Sequence, residues 1–167
     1  LTNDELSALL VHELAHHELF SIHDSEFLVV EQILSSMTAD AAADAPHDRT
    51  SRNYHLYTEL HCDRRALQIA DSLESCVSML VKMETGLRNV SAASYIKQAN
   101  EVLSKGPTSS DGVTHPEMFI RAKALQLWHD DPSQSDAALP KLVEGPLALR
   151  DMDLLRQRQV TDLTLTF

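Results

Sequence analysis

Val11-His12-Glu13-Leu14-Ala15-His16-His17 is the stretch from which the rest of the 167-residue chain is best read. Residues four apart on a helix stand one above the other. A helix here therefore directs the imidazoles of His12 and His16 at one point, where they can hold a single metal ion. Glu13 lies about 100° further round, beside such an ion rather than on it, where a carboxylate can take a proton from water. The flanks supply the helix that this requires. Residues 4–10 contain neither Gly nor Pro, and Thr2 with Glu5 has the spacing of a capping box. The first helix is expected over residues 3–22, ending at His23-Asp24.

Two imidazoles leave a site open, so a third donor is sought downstream. A helix expected over residues 52–70 carries Glu59 and Asp63 four apart on one face, followed by Ala66 and Leu67. A carboxylate from this helix would give two His and one Glu with the fourth position free, as in catalytic rather than structural zinc sites.

At this point the motifs resemble a known family. His12-Glu13-Leu14-Ala15-His16-His17, then Glu59-Leu60-His61-Cys62-Asp63-Arg64-Arg65-Ala66, then Thr114-His115-Pro116 with Arg121 six residues after the His, are similar, in order, to the M48 metallopeptidases. These are the gluzincins of the CAAX prenyl protease, HtpX and BepA type, and the resemblance covers about residues 4–128. It implies a mainly α fold with a gluzincin-type helical core and a polypeptide substrate. It also implies one zinc ion per chain, bound by His12, His16 and Glu59, with Glu13 as catalytic base and Asp63 orienting a ligand histidine. His115 and Arg121 match a part of the family pattern near the active site. There they would steady the developing oxyanion, or His115 would occupy the open zinc position in a resting state.

Three departures qualify the resemblance. Cys62 stands where the family has a small residue, and is read as a small buried side chain rather than a thiolate ligand. The interval from His16 to Glu59 is short and leaves little room for inserted membrane helices. The upstream edge strand on which the family holds an extended peptide is absent before the first helix, so a piece of a longer protein is expected, with its N-terminal part missing.

Charge and composition narrow the classes further. The formal net charge of −11 leaves no basic stripe for phosphates, which excludes a nucleic-acid groove. Hydrophobic residues make up 43% but aromatics only 5%, so the core should be Leu, Ala, Val, Ile and Met. Cys62 and Cys76 both fall within expected helices and cannot form a disulfide framework. With no signal peptide and no apolar run of spanning length, a cytoplasmic location, or one on the cytoplasmic face of a membrane, is expected. Membrane contact would come only through segments missing from the chain.

Elsewhere, Asp24 is expected to cap a helix over residues 25–37, and residues 38–51, without a periodic apolar face, to form a mobile loop. Helices are expected over residues 73–85, ended by Gly86, and 92–103, ended by Gly106-Pro107. Residues 108–113 should form a polar loop, and Pro116 should lie in the first turn of the next helix. Residues 1–129 are read as the peptidase core and 130–167 as a linker, at 130–135, followed by C-terminal helices. A short helix is expected over 137–143, then a Gly145-Pro146 break. The last helix, from about Leu149, has an apolar face of Met152, Leu154, Leu155, Val160, Leu163 and Leu165, with Phe167 at the end, and is expected to pack on the core or dock a further domain. His17, His23, His47, His61 and His129 are read as exposed, and His55 as outside the metal site although it precedes Glu59 by four. The competing functional class is a zinc-stabilised helical module that binds or regulates a partner without cleaving peptides.

Overall fold

Thr2 begins α1 (Asn3–Ser21) as its spacing requires, accepting a hydrogen bond from the Glu5 amide at 3.2 Å while Glu5 accepts from the Thr2 amide at 2.7 Å. The computed structural model describes residues 1–112, 114–146 and 148–166. Among these residues every regular element is helical: α2 (Glu26–Thr38), α3 (Ala45–Ala70), α4 (Leu73–Thr85), α5 (Ala92–Leu103), α6 (Met118–Asp130), α7 (Pro132–Val143) and α8 (Leu154–Thr166) follow α1. No helix among them is long and apolar enough to cross a membrane.

α1 and α3 form the frame. Ala8 and Ala15 on the buried face of α1 are small enough to let α3 approach closely, with Leu19 continuing that face. Against this pair, α4 and α6 enclose an aliphatic core of Leu56, Leu60, Val77, Met79, Ile120 and Leu125, all under 2% exposed. Glu5 serves a second purpose here. Its carboxylate accepts from Ser78 at 2.7 Å and from Lys82 at 2.7 and 2.9 Å, tying the start of α1 to α4.

α3 starts at Ala45, seven residues before the expected position, so the second half of the anticipated loop over 38–51 is helix. Asp44 precedes it, Pro46 occupies its first turn, and the Asp44 carboxylate lies 2.6 Å from His47 Nδ1. The early turns bury Thr50, Ser51 and Asn53 instead of apolar residues. Asn53 donates to Asp153 at 3.1 Å, and Thr50 accepts from the Leu154 amide at 3.0 Å. Burial by polar contact leaves no apolar period to read.

Other boundaries shift for local reasons. Asp24 does not cap α2; His23, Asp24 and Ser25 form a 3-10 turn with φ of 47, 53 and 63°, and Ser25 precedes α2 without a side-chain cap. Gly86 ends α4 at φ +70°, as expected. Pro116 lies two residues ahead of α6, which starts at Met118 after Glu117. Residues 130–135 are not a linker: Asp131 accepts from the Ser133 and Gln134 amides at 3.1 and 3.3 Å and caps α7 one residue after α6 ends.

α8 departs from the expectation of a packing helix. None of its described residues is buried, and Leu155, Leu163 and Leu165 are 66, 60 and 80% exposed. It is held at its start, by Asp153 and by the Arg156 guanidinium on Glu144 at 2.9 and 3.1 Å. Phe167, and Val113 of the polar loop, lie outside the described residues.

Candidate metal centre

α1 presents His12 and His16 on successive turns towards α3, and α3 presents Glu59 back towards them. His12 Nε2 and His16 Nε2 are 3.2 Å apart; Glu59 Oε2 is 3.5 Å from the first and Glu59 Oε1 3.3 Å from the second. A tetrahedron whose donors stand about 2.0–2.2 Å from an ion has edges of about 3.3–3.6 Å. Each of the three separations is of that order, with the two Glu59 oxygens each facing one imidazole, and the three side chains together could hold a metal ion. His12 and Glu59 are buried, whereas His16 is partly open.

Behind the donors lies a buried ion pair. Arg121 of α6 donates through Nε and Nη2 to the two oxygens of Asp63, both at 2.7 Å, and the same Nη2 lies 3.4 Å from Glu59 Oε2. Asp63 Oδ1 in turn lies 3.1 Å from His12 Nδ1, without the alignment of a full hydrogen bond. One guanidinium thus spans the carboxylates of Glu59 and Asp63. This geometry gives Arg121 a positioning task, because its fork is engaged by protein and only 7% of the residue is exposed.

The electrostatics follow from this packing. Burial pulls the His12 pKa down, but the Asp63 and Glu59 carboxylates beside its two ring nitrogens outweigh it and raise it to about 9. Burial pushes Glu59 the other way, and His12, His16, Arg121 and His115 together hold it well below the usual carboxylate range. For Cys62, burial and then the nearby carboxylates push the thiol up to about 12. It is fully buried and unpaired, a small packing residue and no thiolate ligand.

Two of the other candidates are exposed. Glu13, next to His12 on α1, is exposed and makes no hydrogen bond or ion pair with the described residues. His115 is also exposed, with Nε2 3.5 Å from Glu59 Oε1. No family model, curated protein or solved structure matches the chain. The assignment of roles therefore rests on geometry and on the motifs themselves.

One residue at the site has no signal in the motifs. Gly112, in the loop leading to His115, sits so close that a Cβ added there would collide with the His115 carbonyl. Only glycine allows that approach. His55 is held elsewhere, 2.8 Å from Glu31 of α2.

Proposed function

We propose that this chain is the core of a zinc-dependent metalloendopeptidase of M48-like, gluzincin type, which hydrolyses peptide bonds of a polypeptide substrate with Glu13 as general base. The observation that carries the proposal is the convergence of His12, His16 and Glu59 from two helices, with ring nitrogens and carboxylate oxygens 3.2–3.5 Å apart and His16 partly exposed. Zinc in such a site supplies Lewis-acid polarisation of a carbonyl and of water. Glu13, exposed and next to His12 on α1, takes the proton of the attacking water and passes it to the leaving amine. His115, also exposed and near Glu59, steadies the oxyanion, or closes the open position at rest. Asp63 and Arg121 hold His12 and Glu59 in register rather than touching substrate.

A second reading has its own support. The His12–Asp63–Arg121–Glu59 network joins α1, α3 and α6, so a metal there would also staple the helices of a binding module that does no chemistry. The deciding measurement is zinc content per chain by elemental analysis, followed by peptide turnover. About one zinc per chain, lost in His16→Ala, with turnover abolished in a zinc-loaded Glu13→Gln, is the expected result. Equal turnover by Glu13→Gln removes Glu13 from the mechanism. Zinc without any turnover by the unaltered chain favours the module, and zinc-free protein after metal addition sinks both readings.

A further inference from the structure

Two helices of this chain bury almost nothing. An amphipathic helix owes most of its stability to the apolar face that it packs, yet Leu34 is the sole buried residue of α2, and α8 has none among its described residues. Their apolar side chains are gathered on one surface instead. Val30 of α2 and Leu155 and Gln159 of α8 line an apolar groove whose floor is α3, and Ile22 lines it ahead of the turn into α2. Val29 and Ile33 share an arc of about 100° with Val30, and Leu163 follows Gln159 by one turn, so each wall carries further apolar side chains beyond the groove. Ile22, Val29, Val30, Ile33, Leu155 and Leu163 are 38–66% exposed.

Area and charge select what covers it. At these exposures the six side chains offer about 500 Å², near the upper end of what a monomer leaves open. With the apolar share of about 65% usual in homodimers, that is the apolar part of an interface of about 800 Å² per copy, the standard size. The carboxylates of the groove are spent within the chain. Glu144 accepts from Tyr57 at 2.6 Å and from Arg156 at 2.9 and 3.1 Å, and Asp153 accepts from Asn53 at 3.1 Å and from the Arg156 amide at 2.8 Å. They neither draw a partner of opposite charge nor repel a like surface, which matters when a second copy brings another charge of −11. Neither α2 nor α8 contains lysine, which interfaces disfavour. The surface is also self-complementary in form, an apolar helix beside an apolar groove, as a two-fold contact requires.

We infer that this surface is the interface of a two-fold dimer of the chain, in which α8 of each copy lies along the groove between α2 and α8 of the other. Both unpacked helices thereby gain the apolar contact that each lacks alone. The interface is independent of the peptidase proposal, since none of the six side chains is a metal donor, and it forms without zinc.

The test is sedimentation equilibrium of the metal-free 167-residue chain. A monomer-dimer equilibrium with Kd of about 10 µM or lower is expected, without larger species, because an isologous contact closes on itself. Leu163→Lys and Ile33→Glu, at exposed positions where substitution spares the fold, should each weaken the dimer by about tenfold or more while leaving the circular dichroism unchanged. An equimolar mixture of the two variants should recover it, since a mixed dimer keeps one contact unaltered and places opposite charges in the other. Met83→Lys, on α4 and nearly as exposed as Leu163, should leave the dimer as it is. A chain still monomeric at about 200 µM, open-ended association, a dimer indifferent to both patch substitutions, or a mixture that stays monomeric would each overturn the inference.

Discussion

The Asp63–Arg121 pair shows what a buried charge costs when left alone. Arg121→Met keeps an unbranched stem but removes the guanidinium, and with it both bonds to a carboxylate that is 1% exposed. A loss of about 3–5 kcal/mol is expected in denaturant unfolding. Asp63→Asn combined with Arg121→Met should recover part of it, because the uncompensated charge is gone. A single-variant loss below about 1 kcal/mol would mean that the pair is not buried as described. Glu5 provides the titratable counterpart. Burial raises its pKa, but hydrogen bonds from Lys82, Ser78 and the Thr2 amide outweigh this and lower it from 4.5 to about 2. A depressed carboxylate pKa means stability that is fully present above the unfolded value and is lost as pH falls through the folded one. Glu5→Gln should therefore cost about 1–2 kcal/mol at pH 7, after allowance for solvent screening. The gap to the unaltered chain should close between about pH 4.5 and pH 2. A gap that persists undiminished at the acid end would remove the ion pair as its cause.

At the scale of elements, the chain reveals its structure where burial is apolar or where a cap has a fixed spacing. α1, α4 and α5 lie within a residue of expectation because Thr2–Glu5, Gly86 and the helical apolar periods all speak locally. The first turns of α3 do not, since Thr50 and Asn53 are buried through hydrogen bonds to a segment 100 or more residues away. α8 misleads in the opposite sense: its leucines have the period of a packing helix, but no described partner covers them. The donor set was legible because i and i+4 spacing is a local property, as was the facing carboxylate on α3. The task of Arg121 was not, since it depends on how α6 crosses α3. Nor was Gly112, whose requirement arises from the return of the loop onto His115. Gly112→Ala tests that loop. The added Cβ must displace the His115 backbone while leaving His12, His16 and Glu59 in place, so zinc content should stay the same and peptide turnover should fall by about tenfold or more if His115 assists the reaction. Unchanged turnover would detach His115 from the proposed chemistry.

For the whole molecule, the metal centre lies where the two frame helices meet, so an ion there would bind the folded state and have no comparable site in the unfolded one. His12 and His16 come from α1 and Glu59 from α3, and Arg121 extends the same network to α6. Linkage then sets the magnitude. Free metal at one hundred times its dissociation constant stabilises the fold by about 2.7 kcal/mol, which for a chain of this size corresponds to about 5–11 °C in Tm. Thermal unfolding of the metal-free chain, repeated as zinc is added, should show that rise and its reversal by chelator. His16→Ala should show little of it, because only two of the three donors remain. A rise of equal size in His16→Ala would place the bound metal elsewhere on this acidic protein, and the donors at 3.2–3.5 Å would then be a polar contact between helices rather than a metal site.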